Sequence, residues 1–386
     1  MALDLAAVRA SFPALSSGVA YFENAGRSFV AQPVLDRMQA FLAQHPVQPG
    51  YVHRLANESR AEVDAGLDAA AWLAGAHPDH VILSHSTTIN VFVLAHAIAP
   101  TLRESDVVVV TNQDHEANSG AWRRMGVGIR EWQVDPETGD LRLEDLDALL
   151  DEKVRLVCCP HVSNVVGTIN DVRAITERAH SVGAQVCVDG VAFAPHRRVE
   201  VEAWGVDYYL FSLYKVYGPH LGLLYAKPEH IERAINQSHF FHDAKNKLNP
   251  GGQQYEAVAA AAGIRDYLEP LGDSFFDEVA AHEEAIAAPL VAYLHEHPRV
   301  RLIGRPTADR TERVPTISFV PEAIAPMELI SAVGEDIAIG AGHFYAARCV
   351  EAMGIDVDQG IARVSMVHYN DAREVERLMT ALDAVL

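Results

Sequence analysis

The sequence is short of positive charge: 31 Lys and Arg stand against 52 Asp and Glu in 386 residues, a formal charge of -21, and no basic run offsets it. A nucleic-acid backbone or an anionic membrane surface would be repelled, so a small-molecule substrate is the better fit. Cysteine is scarce. Cys158, Cys159, Cys187 and Cys349 form no C-x-x-C pair and no metal-ligand spacing, so no metal is expected. Three of the four lie in apolar runs and read as buried thiols of a reducing cytoplasm. No apolar stretch reaches the roughly 18 residues of a membrane span. Asp4, Leu5, Ala6 and Ala7 supply neither the basic flank nor the apolar centre of a secretory signal. There is no repeat period, no low-complexity tract, and no G-x-G-x-x-G after an early strand, which argues against a dinucleotide-binding dehydrogenase.

What is present is apolar and periodic. With 49% hydrophobic residues, the chain can bury one large core and one smaller one. Residues 60–73 carry an apolar stripe at helical spacing, and short apolar runs follow at 81–83, 107–111, 154–159 and 185–188. Such runs between helices predict buried parallel strands in an α/β sheet covered on both faces. After Glu256 the pattern changes to an alanine-rich helix over 257–268, an acidic helical stretch and strands around 313–320. The expected division is a large α/β domain over 16–265 and a small α+β domain made of 1–15 and 266–386.

In open sheets of this kind, ligands gather at the carboxyl ends of strands. The segment V-D-G-V-A-F-A-P-H (188–196) places Asp189 at such an end. D-Y-Y-L-F-S-L-Y-K-V-Y-G-P-H-L-G (207–222) places Lys215 after a second run, among Phe211, Tyr214, Val216 and Tyr217. An amine in partly desolvated surroundings has its charged form disfavoured and is nucleophilic toward an aldehyde. An arbitrary Asp and Lys would more often be a helix cap and a solvated surface cation. Ser86, Thr87 and Thr88 follow a strand and open a helix, where hydroxyls and free backbone N–H groups can hold a phosphate.

Across nearly its whole length, from Y-F-E-N-A-G (21–26) to R-V-S-M-V-H-Y-N (363–370), the chain resembles the class V aminotransferase family, and within it the cysteine-desulfurase-like branch. The resemblance implies fold type I of the enzymes dependent on pyridoxal 5'-phosphate (PLP). It implies that Lys215 carries the cofactor as a Schiff base, that Asp189 pairs with the protonated pyridine nitrogen, and that Ser212 helps hold the phosphate. His115, in D-H-E-A-N-S-G-A-W (114–122), matches a histidine that stacks on the cofactor ring. Asn164, in S-N-V-V-G-T-I-N (163–170), matches an asparagine beside cofactor and substrate. Arg363 matches the arginine that clamps the substrate carboxylate, a role suited to its planar fork. His53 and Arg54, in Y-V-H-R (51–54), and Arg27, after the N-A-G turn, are further substrate candidates. The resemblance also implies a homodimer with the active site near the subunit interface.

Several positions depart from the family's pattern. G-A-G-H-F-Y (340–345) puts Tyr345 where a desulfurase carries its nucleophilic cysteine and Gly340 where it carries an arginine. Ala192 replaces a glutamine near the cofactor's phenolate oxygen, and Tyr214 replaces the histidine before the lysine. Gly252 stands where a threonine reaches the partner subunit's phosphate. The expected chemistry is an external aldimine with a small amino acid and removal of its Cα proton by Lys215. Transamination or β-elimination would follow, ahead of epimerisation and of desulfurase-like sulfur transfer. A ligand-binding protein on the same fold is the non-enzymatic alternative.

Overall fold

The computed structural model describes residues 3–386. Its strands, in chain order, are β1 (Ala20–Tyr21), β2 (Val81–Ser84), β3 (Val107–Thr111), β4 (Gly128–Trp132), β5 (Val154–Pro160), β6 (Gln185–Asp189), β7 (Tyr208–Ser212), β8 (Gly222–Ala226), β9 (Val300–Ile303), β10 (Thr316–Pro321), β11 (Ile337–Ala338), β12 (Gly340–Gly342) and β13 (Ile361–Ser365). Seven of them form one sheet in the order β2-β8-β7-β6-β5-β3-β4. Strands β3 to β7 pair in parallel, and β8 alone runs the other way, antiparallel to both β2 and β7.

Side-chain alternation shows why these runs settle in the interior. Val157, Cys159, Val186, Val188, Tyr209 and Phe211 pack into one apolar cluster, while Leu156, Cys158, Cys187, Tyr208 and Leu210 pack into another. Both faces of the sheet are covered, which is what continuous apolar strands require. All four cysteines are free and buried.

A second sheet, β12-β13-β10-β9, is antiparallel throughout. It shares a smaller cluster with the helices Phe275–Glu296 and Ala372–Asp383, through Leu290, Leu294, Leu378 and Leu382. The long helix joins the two bodies: Phe275 and Val279 lie in the large core, and Ile286 to Leu294 in the small one. The first residues divide their contacts. Val8 and Phe12 pack in the large core, Arg9 bonds Glu374, and β1 pairs with β11.

Two expected elements differ in detail. The helix over 257–268 is two helices, Tyr255–Ala260 and Ala262–Leu268, because Ala261 accepts from Ile264 in a tighter turn. The strand expected from residue 313 starts at Thr316, since Arg313 turns inward to donate to the carbonyls of Arg305, Val166 and Thr316. Among the described residues, no helix is long and apolar enough to cross a membrane.

Candidate active site

The loops at the carboxyl ends of β2, β3, β5, β6 and β7 bring Ser86, Thr87, Thr88, His115, Asn164, Asp189, Ser212, Tyr214 and Lys215 together around one cavity. Lys215 ends the short 3-10 turn Leu213–Lys215 that follows β7. The next reversal is made by Tyr217 at φ 61, whose N–H donates to Ser28 Oγ at 3.0 Å. Burial lowers the Lys215 pKa to about 8, Arg363 pushes the same way, and Asp189 opposes them. Of the four neighbours expected to desolvate the amine, only Tyr214 lines the cavity. Phe211, Val216 and Tyr217 belong to the large core beneath it.

Asp189 ends β6 at 6% exposure and accepts from Val191 N at 2.8 Å. Burial raises its pKa to about 6, against the pull of that hydrogen bond and of Lys215. A cationic nitrogen placed against this carboxylate would favour its ionised form.

The anion-binding end is built from a helix start. Ser86 caps the helix Thr87–Ile98, its Oγ accepting from Ile89 N at 3.2 Å, and Thr87 Oγ1 meets Ser212 Oγ at 2.7 Å. Gly222 allows β8 to close on this turn, since a Cβ there would lie 2.2 Å from Ser86 C and 2.3 Å from Thr87 N. The first-turn N–H groups, the positive end of the helix dipole and the hydroxyls of Ser86, Thr87, Thr88 and Ser212 suit a phosphate monoester. An amine, a buried carboxylate and a phosphate cradle on one cavity fit the functional groups of PLP.

On the opposite wall, His115 Nδ1 accepts from Ala117 N at 3.0 Å, and its ring stacks on Tyr345 with centroids 5.2 Å apart. Burial lowers the His115 pKa to about 4, with Lys215 and Arg363 adding to the effect. Asn164 Nδ2 donates to Phe344 O at 2.9 Å. Arg363 is 2% exposed, and its Nη1 donates to Asn164 O at 3.0 Å. It is not among the residues that line the cavity, and the ring of Phe344 covers its guanidinium, with the ring centroid 3.6 Å from the central carbon. The two end motifs meet beneath this arginine, where Asn24 donates to Ser365 O and Asn370 Oδ1, and Tyr369 OH bonds Asn24 Oδ1.

The remaining candidates sit apart. Arg27 is exposed, with its guanidinium carbon 6.0 Å from the Tyr214 ring. His53 caps the helix Arg54–Ala74, and Arg54 pairs with Glu58 at 2.8 Å. Gly252 has open space around it and lines no part of the cavity. Three contributors were not read from the sequence: Gly222, Phe344, and Asp114, whose buried carboxyl bonds Thr111 and Asn118 and has its pKa pushed well up by burial. Asp114 adjoins His115 in a motif already singled out, but burial is what gives it a role.

A mostly parallel sheet whose strand ends carry this amine, carboxylate and helix start has the α/β architecture of fold-type-I PLP enzymes. A family model described as aminotransferase class-V matches residues 20–378, and the chain belongs to that family, whose members are PLP-dependent enzymes. It is 35% identical over 394 residues to the aminotransferase-like protein FGM3 of Gibberella zeae, covering 98% of each chain. It is 31% identical over 410 residues to the cysteine desulfurase-like protein ustD of Aspergillus flavus, covering 100% of this chain and 91% of that one. Among solved structures, the apo cysteine desulfurase of Thermococcus onnurineus shares the fold at a TM-score of 0.91 and 22% identity, over 100% of this chain and 98% of the other. The Escherichia coli cysteine desulfurase CsdA does so at 0.86 and 24%, with the same coverage.

Proposed function

We propose that this protein uses PLP to remove the Cα proton of a small amino acid, with transamination or β-elimination as the outcome. One observation carries the reading: Lys215, Asp189 and the Ser86–Thr88 helix start line a single cavity. When bound, the cofactor supplies an aldehyde that takes up the substrate amine and a ring that draws electrons from the bond to be broken. Ser86, Thr87, Thr88 and Ser212 hold its phosphate. Asp189 keeps a proton on its ring nitrogen, and His115, Asn164 and Tyr214 enclose its ring. Arg363 anchors the substrate carboxylate, with Arg27, His53, Arg54 and Tyr345 as outer contacts. Lys215, lowered to about 8, moves the Cα proton at near-neutral pH.

Sulfur transfer ranks last because it needs a reachable thiolate. Tyr345 occupies the loop position, Cys349 is buried with its pKa pushed up to about 12, and the other three thiols are buried as well. We infer a homodimer, in which Gly252 of one copy approaches the phosphate site of the other. The buried free thiols support a cytoplasmic location.

The test is spectroscopic and then chemical. The purified protein is expected to carry a yellow absorbance band that borohydride abolishes. A Lys215→Ala protein that stayed yellow and active would sink the mechanism. A panel of amino acids, run with and without a keto-acid acceptor, then separates the outcomes. Acceptor-dependent turnover selects transamination, whereas pyruvate and ammonia without an acceptor select elimination.

A further inference from the structure

The buried guanidinium of Arg363 has a single hydrogen-bond acceptor among the described residues, Asn164 O, and its Nε has none. A buried cation calls for an anion; Glu23 attracts it only from beyond ion-pair distance, and no described Asp or Glu lies within that distance. What covers it is an aromatic ring. Phe344 stacks on the guanidinium with its centroid 3.6 Å from the central carbon, the geometry of a cation–π contact. The ring has room there because residue 340, beside Arg363 in the sheet, is glycine. A Cβ at Gly340 would lie 2.9 and 3.1 Å from ring atoms of Phe344.

The segment that carries the ring is strained. Phe344 at φ 49 and Tyr345 at φ 60 are successive left-handed residues bearing side chains, preceded by Gly342 at φ 123, a conformation that L-residues adopt only when held. Hydrogen bonds from Asn164 Nδ2 to Phe344 O at 2.9 Å and from Glu116 N to Tyr345 O at 2.7 Å tie it to the rest of the chain, and Tyr345 N donates to His343 Nδ1 at 3.1 Å within it.

We propose that Phe344 is a specificity-determining cap on Arg363, and that a substrate's free carboxylate displaces it. This rests on the reading of Arg363 as the carboxylate anchor. A carboxylate replaces the stacking contact with two charge-assisted hydrogen bonds and supplies the acceptor that Nε lacks. An ester, an amide or a decarboxylated amine offers no such exchange, so the cap stays closed against it.

Phenylglyoxal modification of Arg363, followed by peptide mass mapping, reads the cap without requiring turnover. Arg363 of the native enzyme is expected to react slowly. Phe344→Ala should raise the rate roughly tenfold, the equivalent of losing one desolvated stacking contact. Gly340→Ala, which crowds the ring out, should do likewise, while Phe344→Tyr, which keeps the ring, should resemble the native enzyme. In Phe344→Ala, L-alanine or acetate should protect Arg363 and L-alanine methyl ester should not. Calorimetric binding should show a smaller preference for L-alanine over its ester than in the native enzyme. Equal Arg363 reactivity in the native and both alanine variants, all folded by circular dichroism, would overturn the cap. Accelerated modification with no protection by L-alanine or acetate would instead overturn the anchor reading and leave the cap standing.

Discussion

The His115 ring is held neutral by its surroundings. Burial brings its pKa down to about 4, Lys215 and Arg363 act the same way, and Nδ1 is already an acceptor for Ala117 N, so the single proton belongs on Nε2. A flat uncharged ring suits contact with an aromatic cofactor better than an imidazolium beside two cations. Histidine-selective NMR should therefore show no titration of His115 above about pH 5, and a midpoint near the usual 6.5 would contradict this. The folded-state value lies below the unfolded one, so neutral His115 stabilises the fold above the ordinary histidine pKa, and that stability is lost as pH falls from there through about 4. The strand-end positions of Lys215 and Asp189 were legible in the sequence because each follows a short apolar run, while their roles were read from the family resemblance. Phe344 and Asp114 were not legible. One depends on a left-handed backbone and on a missing side chain across the sheet, the other on burial, and no local pattern of residue types encodes either.

The strands with apolar runs were read nearly to their ends: residues 107–111 are β3 itself, and 185–188 lacks only the final Asp189 of β6. The edge strand β4, G-I-R-E-W, went unread because it is half exposed and carries Arg130 and Glu131. Sequence periodicity sees burial, and an edge strand offers little. A tight approach at the site is also between elements, where Gly222 in β8 meets the start of the helix Thr87–Ile98. Gly222→Ala puts a methyl group into space already filled by backbone, which neither element can vacate without loosening the phosphate cradle. Overpacking of this kind costs about 1–3 kcal/mol. Thermal denaturation should show that loss, and equilibrium dialysis should show weaker PLP retention. An unchanged melting temperature together with unchanged retention would mean that β8 does not position the cradle.

Over the whole molecule, the surface beside the active-site cavity carries large apolar side chains that a lone chain leaves in water. Phe92 is 52% exposed, Ile89 43% and Tyr345 70%, and Phe92 and Tyr345 line a groove that shares Ser86, Thr88, His115, Ala117 and Tyr214 with the cavity that holds Lys215. Contiguous exposed apolar surface next to a functional site marks an interface. Sedimentation equilibrium should give about twice the mass of the chain, and a monomer at micromolar concentration would argue against the shared site.

The hydrogen bond from Asn24 to Asn370 joins residues 346 positions apart, and with it the knot of side chains that carries Arg363. Closing so long a loop is slow, and it waits on nearly all of the chain. During synthesis the seven-stranded sheet, complete at Ala226, leaves the ribosome well before this latch can form. A nascent chain can thus display Lys215 and the Ser86–Thr88 helix start while Arg363, the proposed carboxylate anchor, is still unmade, and catalytic competence should appear as a late, separate phase of folding.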